Sequence, residues 1–270
     1  MPAFSEISPQ QLMRLIGTPE GPVVIDVTLD ADFDADPHLI PTARRCPHDQ
    51  IITLALGLQG CCVVVVCQKG LKLSHGAAAR LRAEGVHAEA LEGGNLGWKT
   101  AGLPRVPARV LPEKADDATL WVTRHRPKID RIACPWLIRR FVDPDARFLF
   151  VPPAQVADVA ERFGATPFDV NGVFWTHRGD GCSFDTMVAE FGLTTPALER
   201  LARVVRAADT NRHDLAPEAA GLLALSVGLS RQFKDDMAQL KAAMPLYDAL
   251  YRWARDGVGE THEHGAERKA

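Results

Sequence analysis

The segment Cys61-Cys62-Val63-Val64-Val65-Val66-Cys67 is apolar at every position. A run of this length without alternation predicts a strand covered on both faces. Val23–Val27 and Val86–Leu91 are shorter runs of the same kind, the second broken by Gly93-Gly94. Between them an alanine-rich stretch, His75 to Glu84, has helical character and stops at Gly85. Near the start, Ser8-Pro9 reads as an N-cap followed by proline in the first helical turn. The acidic segment Leu29 to Asp36 is expected to be a loop. Short buried strands alternating with helices imply a parallel sheet with helices on both faces, joined by right-handed crossovers.

The pattern changes after Pro104. Residues 104–117 carry Pro104, Pro107 and Pro112 with mixed charge and little periodicity, which reads as a linker. Beyond it, apolar positions 129, 132, 133, 136, 137 and 141 follow a helical template. Leu198–Ala208, Ala219–Leu229 and Lys234–Trp253 also read as helices, the last interrupted by Pro245. Phe148–Val151 and Val173–Thr176 are candidate short strands. The reading is an α/β domain over 1–105, a linker over 106–118, a mainly helical domain over 119–255 and a flexible tail over 256–270.

Composition narrows the setting. Hydrophobic residues make up 46% and charged residues 24%, a globular balance. A net charge of −3 does not by itself demand a nucleic acid or an acidic membrane as partner. The apolar runs are too short to span a bilayer, so no membrane insertion is expected. Met1 to Gly17 carries no basic region followed by an apolar core and a cleavage site. Six cysteines occur without any Cys-x-x-Cys, which removes the simplest zinc ribbon and the thioredoxin-type pair. Cys61 and Cys62 fall in the buried-strand pattern, where cysteine acts as a small hydrophobe. A reducing, cytoplasmic location is the expectation.

Cys67 stands apart. It closes the apolar strand and opens the loop Gln68-Lys69-Gly70-Leu71-Lys72-Leu73-Ser74, which leads into a helix. Backbone N–H groups of such a loop can converge on the sulfur, and the helix dipole adds partial positive charge there. Both favour the thiolate, which is the nucleophile. The plainer alternative is a buried strand-end thiol kept for structure or partner binding.

Residues 5–105 resemble a single rhodanese-like domain. The matching residues are Asp26-Val27 at a strand end, His38-Leu39-Ile40-Pro41-Thr42-Ala43, Cys67-x-x-Gly70, and the closing Gly93-Gly94 with Trp98, Gly102 and Pro104. The resemblance implies sulfur transfer through a persulfide on Cys67, with Asp26 supporting the loop by accepting its hydrogen bonds. It also implies a small sulfur-containing anion as donor and a thiol as acceptor. Two positions depart from the pattern. Thr28 stands where an arginine usually follows Asp-Val, and Leu73 stands where serine or arginine is usual, with Ser74 one place later. Without arginine at that position the loop lacks the bidentate phosphate cradle of tyrosine phosphatases. Lys69 and Lys72 supply the charge an anionic sulfur donor needs.

Residues 119–255 resemble the conserved domain of bacterial chromate-resistance proteins. The resemblance is carried by Arg126-Pro127-Lys128-Ile129-Asp130-Arg131-Ile132-Ala133-Cys134-Pro135-Trp136, continuing to Phe141, and by His177-Arg178-Gly179-Asp180-Gly181-Cys182-Ser183-Phe184-Asp185. Arg206-Ala207-Ala208-Asp209-Thr210 and Pro217 to Leu222 extend it. It implies a role in resistance to chromate. Some members of that family are described as chromate-responsive regulators of an efflux operon. Two functions follow: a sulfurtransferase acting in chromate or oxyanion stress, or a chromate-responsive sensor that binds DNA and whose rhodanese domain is not catalytic.

Three further groups in this half carry chemistry. Cys134 is a reactive thiol if Pro135 opens a helix and places it at the N-cap; it is a packed residue if the helix begins near Asp130. Seven Lys and Arg lie within 124–147 against three Asp. They form either a solvated face or an anion pocket for chromate or sulfate with Lys128 and Arg131 as ligands. His177, Cys182, Asp185 and Asp209 are candidate metal ligands, the alternative being a hydrogen-bonded polar core. No cofactor is firmly implied. His262-Glu263-His264 reads as part of the tail rather than a site.

Overall fold

The computed structural model describes residues 5–115 and 117–260. The His262-Glu263-His264 triplet and most of the tail lie outside the described residues. The chain divides into two compact units. The first takes in the chain up to Leu120 with Leu137–Arg147 and Ala189–Leu193. The second comprises Trp121–Trp136, Phe148–Val188 and the chain from Thr194 onward.

The first unit opens with β1 (Glu6–Ile7) and α1 (Pro9–Leu15), whose start is a reciprocal capping box between Ser8 and Gln11. Next come β2 (Val23–Asp26), α2 (Asp30–Ala35), β3 (His38–Leu39) and β4 (Arg44–Arg45). A 3₁₀ segment Ile51–Leu58 precedes β5 (Cys62–Val66), α3 (Lys72–Ala83), β6 (His87–Leu91) and α4 (Gly94–Thr100). Five strands form one sheet in the order β1-β6-β5-β2-β4, every pairing parallel. The apolar run β5 is its middle strand. Val63 to Val66 are each at most 1% exposed, and full burial of such a side chain is worth about 1.5–3 kcal/mol. Ile25, Val27, Ile51, Leu58, Ala78 and Leu81 pack in one core with Val63 and Val65.

Three expectations for this unit are corrected. Leu29 to Asp36 is not a loop: α2 occupies Asp30–Ala35, with Asp30 and Asp32 in its first turn, where carboxylates favour a helix by interacting with its dipole. Cys61 is half-buried and Cys62 exposed, because the sheet interior begins only at Val63. Helix α3 begins at Lys72, three residues before His75.

The segment read as a linker contains β7 (Val106–Pro107), paired antiparallel with β3, and β8 (Lys114–Ala115). There follow β9 (Ala118–Arg124), α5 (Asp130–Phe141), β10 (Arg147–Val151), α6 (Val156–Phe163) and β11 (Thr166–Pro167). A small sheet is ordered β10-β9-β11, with β8 paired to β9. The rest is helical: α7 (Ser183–Glu190), α8 (Pro196–Asp209), α9 (Ala219–Gln232) and α10 (Asp236–Asp256). Trp136 lies against Phe184, Tyr247 and Tyr251 and donates its indole N–H to Asp248 at 2.8 Å.

Here too the structure differs from expectation. Val173–Thr176 forms no strand, and Trp175 makes only an isolated bridge to Phe168. Helix α10 runs through Pro245 without interruption. Burial of Leu240, Ala243, Met244, Tyr247 and Tyr251 compensates the hydrogen bond that proline removes. Among the described residues, no helix is long and apolar enough to cross a membrane.

Candidate functional site

Cys67 follows the last residue of β5 and is 4% exposed. Its loop is held from below by the start of α4. The N–H of Asn95 donates to the Cys67 carbonyl at 3.0 Å, and that of Leu96 to the Gln68 carbonyl at 3.0 Å. Two glycines make this approach possible. Gly70 adopts φ +64, and a Cβ there would sit 2.6 Å from the Gly93 nitrogen and the Leu91 oxygen. Gly94 adopts φ +57, and a Cβ there would overlap the Cys67 carbonyl oxygen. Only glycine satisfies both demands at either position.

Asp26 supports this arrangement from a different direction than expected. Its carboxylate accepts from the Thr28 N–H at 2.8 Å and the Asn95 amide at 3.3 Å, not from residues 68–74. Asn95 also donates to the Thr28 hydroxyl at 2.9 Å. Thr28, in the place of the usual arginine, is thus one corner of an Asp26–Thr28–Asn95 triangle, buried at Asp26 and Thr28, that fixes the floor of the loop.

The sulfur itself lies 3.2 Å from the Ser74 hydroxyl. Burial pushes the Cys67 thiol up. Against that, the Ser74 hydroxyl and the backbone N–H groups of Ser74, Leu71 and Lys69 all stabilise the thiolate, and together they win: the thiol is held below its ordinary value. The Ser74 hydroxyl also lies 3.1 Å from the Leu71 carbonyl. Its one hydrogen can serve that carbonyl while the sulfur is protonated and turn to the sulfur once it is ionised. Leu73 is half-buried against the core, so the donor comes from the next residue. Lys69 and Lys72 are exposed at the rim.

A second polar constellation lies in the other unit, among β9, α5, α8 and the loops around 169 and 177. Asp130 begins α5 and is fully buried. One carboxylate oxygen accepts the Ser183 N–H at 2.5 Å, while the other has no hydrogen-bond partner. His177 places Nε2 at 3.5 Å from Asp130, 3.3 Å from Asp169 and 3.3 Å from Asp209. Asp169 is also held by Arg124 at 3.0 Å, Arg131 at 3.3 Å and the Ser183 hydroxyl at 2.8 Å.

Burial, then the charges of Asp209 and Asp169, push the Asp130 carboxyl up. Burial and Asp169 do the same to Asp209. Burial opposes ionisation of Asp169 too, but the neighbouring His177 and the hydrogen bonds from Ser183 and Arg124 hold it below the usual carboxylate range. The carboxylate of Asp169, followed by the charges of Asp130 and Asp209, raises His177. Backbone strain gathers nearby: Arg126, Ile129 and Asp169 have φ of +53, +40 and +50, and for a β-branched residue such as Ile129 this is a genuine outlier.

Residues 121–254 match the family model described as ChrB, C-terminal domain. Protein ChrB of Cupriavidus metallidurans is 38% identical over 133 residues, which cover 48% of this chain and 39% of that protein. The chain thus matches well under half the length of this curated relative. Several solved structures similar to the N-terminal region are rhodanese-like. A rhodanese-like domain protein from Staphylococcus aureus is 24% identical with a TM-score of 0.32, covering 35% of this chain and 91% of that one. A rhodanese homologue from Thermus thermophilus is 36% identical with a TM-score of 0.28, covering 34% and 96%. A thiosulfate sulfurtransferase from Pseudomonas aeruginosa is 31% identical with a TM-score of 0.34, covering 41% and 21%.

Within residues 121–254, the residues singled out from sequence separate. His177 and Asp209 come together with Asp130, their ligand atoms all within 4.8 Å of one another. Cys182 and Asp185 do not join them. Asp185 accepts from the Cys182 N–H at 2.9 Å and pairs with Arg206 at 3.2 Å. The Cys182 thiol is buried, and that burial, with Asp130 next, pushes it far above its ordinary value. Cys134 lies inside α5, not at an N-cap, because the helix begins at Asp130 and runs through Pro135. It is completely buried and its thiol is raised strongly by that burial. Arg131 is turned inward to Asp169 and to the His125 carbonyl at 3.1 Å, while Lys128 is exposed. The expected Lys128–Arg131 anion pocket is therefore not formed: Arg131 neutralises a carboxylate. Asp130 and Asp169 were missed from sequence. Asp130 is masked by its place in a helical pattern, and no local signal marks Asp169.

Proposed function

We propose that this chain is a rhodanese-type sulfurtransferase, with Cys67 as the persulfide-carrying catalytic residue, fused to a ChrB C-terminal domain and acting in the cytoplasm in resistance to chromate or related oxyanions. The observation that carries the reading is the Cys67 sulfur, set against the Ser74 hydroxyl and three loop N–H groups that favour its ionised form. The match of residues 121–254 supports the resistance role.

In the first half-reaction the Cys67 thiolate attacks the outer sulfur of an anionic donor such as thiosulfate. A new S–S bond forms, the donor's S–S bond breaks, and sulfite leaves with the electron pair. In the second, an acceptor thiolate or cyanide attacks the outer sulfur of the persulfide. The bond to Cys67 breaks and its thiolate returns with the electron pair, so no outside oxidant is consumed. The N–H groups that stabilise the thiolate lie beside the bound persulfide and stabilise its negative charge in the same way. Exposed Lys69 and Lys72 draw the anionic donor to the rim.

A thiosulfate:cyanide assay on wild type and Cys67→Ser tests this. Thiocyanate formation that depends on Cys67 is the expected result; equal rates in both proteins, or none in wild type with any thiol or cyanide acceptor, refute it.

A further inference from the structure

The geometry around His177 is not that of an ion pair. Three carboxylates stand 3.3–3.5 Å from one imidazole nitrogen. That nitrogen carries at most one hydrogen and can donate to one of them. Charge-assisted N–H···O bonds also run shorter, at about 2.7–2.9 Å. Two ligands each about 2.1 Å from a tetrahedral metal ion are, by contrast, about 3.4 Å apart. The spacing fits shared coordination better than hydrogen bonding.

Two independent observations point the same way. Asp130 is fully buried; its oxygen nearest His177 also accepts the Ser183 N–H, and its other oxygen has no hydrogen-bond partner; an ionised carboxylate so placed is costly unless a cation meets it. The charges around it are also unbalanced in a specific manner. Asp169 is neutralised by Arg124 and Arg131, which leaves the Asp130 and Asp209 carboxyls facing His177; ionised together they would carry two negative charges. A dication balances them.

We propose that the ChrB C-terminal domain of this chain binds one divalent cation through Asp130, His177 and Asp209. Nitrogen and carboxylate oxygen donors without a thiolate select a hard-to-borderline ion, Mn²⁺ or Zn²⁺. The Ser183 N–H on Asp130 holds that ligand in place, and the Ser183 hydroxyl fixes Asp169 beside the site. His177 and Asp209 are only partly buried, so the ion has a route in and a face open to water or a small anion.

The test is calorimetric titration of the full-length, chelator-stripped protein with MnCl₂ and separately with ZnCl₂, followed by elemental analysis after dialysis. Wild type is expected to hold about one equivalent of one of these ions. Asp209→Asn and His177→Gln are expected to weaken it more than about a hundredfold, since even outer-shell partners are worth about ten- to a hundredfold. Asp185→Asn, outside the ligand group, is expected to bind as wild type does. Retention of less than roughly a tenth of an equivalent of both ions by wild type, or wild-type affinity in both ligand variants, overturns the proposal.

Discussion

Replacing Ser74 by alanine isolates the electrostatic basis of the proposed chemistry. The hydroxyl lies 3.2 Å from the Cys67 sulfur. A hydrogen bond to a charged partner is worth about 1.5–3 kcal/mol. The loss falls on the thiolate alone, because with the sulfur protonated the hydroxyl has the Leu71 carbonyl to satisfy it. At 1.36 kcal/mol per tenfold, the ionisation constant of the Cys67 thiol falls by about ten- to a hundredfold. The assay is iodoacetamide labelling across pH, read by mass spectrometry on the peptide that contains Cys67. Wild type is expected to label below the ordinary thiol range of about 8.5, because the fold holds this thiol down. Ser74→Ala is expected to need higher pH and to converge with wild type at the alkaline end. The sign also fixes a stability trend: ionisation of Cys67 favours the fold fully above about pH 8.5, and that contribution is lost as pH falls through the folded-state value. Superimposable labelling profiles would refute the argument.

Two further perturbations test the scaffold. Gly70→Ala places a Cβ 2.6 Å from the Gly93 nitrogen and Leu91 oxygen in a left-handed backbone, which costs about 1–3 kcal/mol or displaces the loop; sulfur transfer should collapse while far-UV circular dichroism is preserved, and full activity would show that the loop need not be clamped. Asn95→Ala removes the link to Asp26 and Thr28, leaving a buried carboxylate oxygen short of a donor, and should lower unfolding free energy in urea by about 1–3 kcal/mol; an unchanged midpoint would contradict that role.

What could be read from the chain alone divides along a physical line. The parallel sheet, its middle strand and the loop after Cys67 were legible because each is encoded in a short, continuous stretch: an unbroken apolar run, a cysteine, glycines at fixed offsets. The constellation around His177 was legible only in part: His177 and Asp209 stood among the candidate ligands, but Asp130 and Asp169 did not, since the four come from separate places and meet only when the chain folds. Charge counting misled for the same reason. Arg131 looked available to an anion but is consumed by Asp169. The acidic stretch taken for a loop became α2 because its carboxylates fall in a helical first turn. Pro245 was overruled by packing, which local propensity does not see.

Sulfur transfer through Cys67 is tested most directly by intact-protein mass spectrometry after thiosulfate is added and removed, with peptide mapping. The expected product carries the mass of one added sulfur atom, located on Cys67, reversed by cyanide and absent in Cys67→Ser. No added sulfur, or sulfur carried on Cys62 or another thiol while Cys67 stays unmodified, would contradict it.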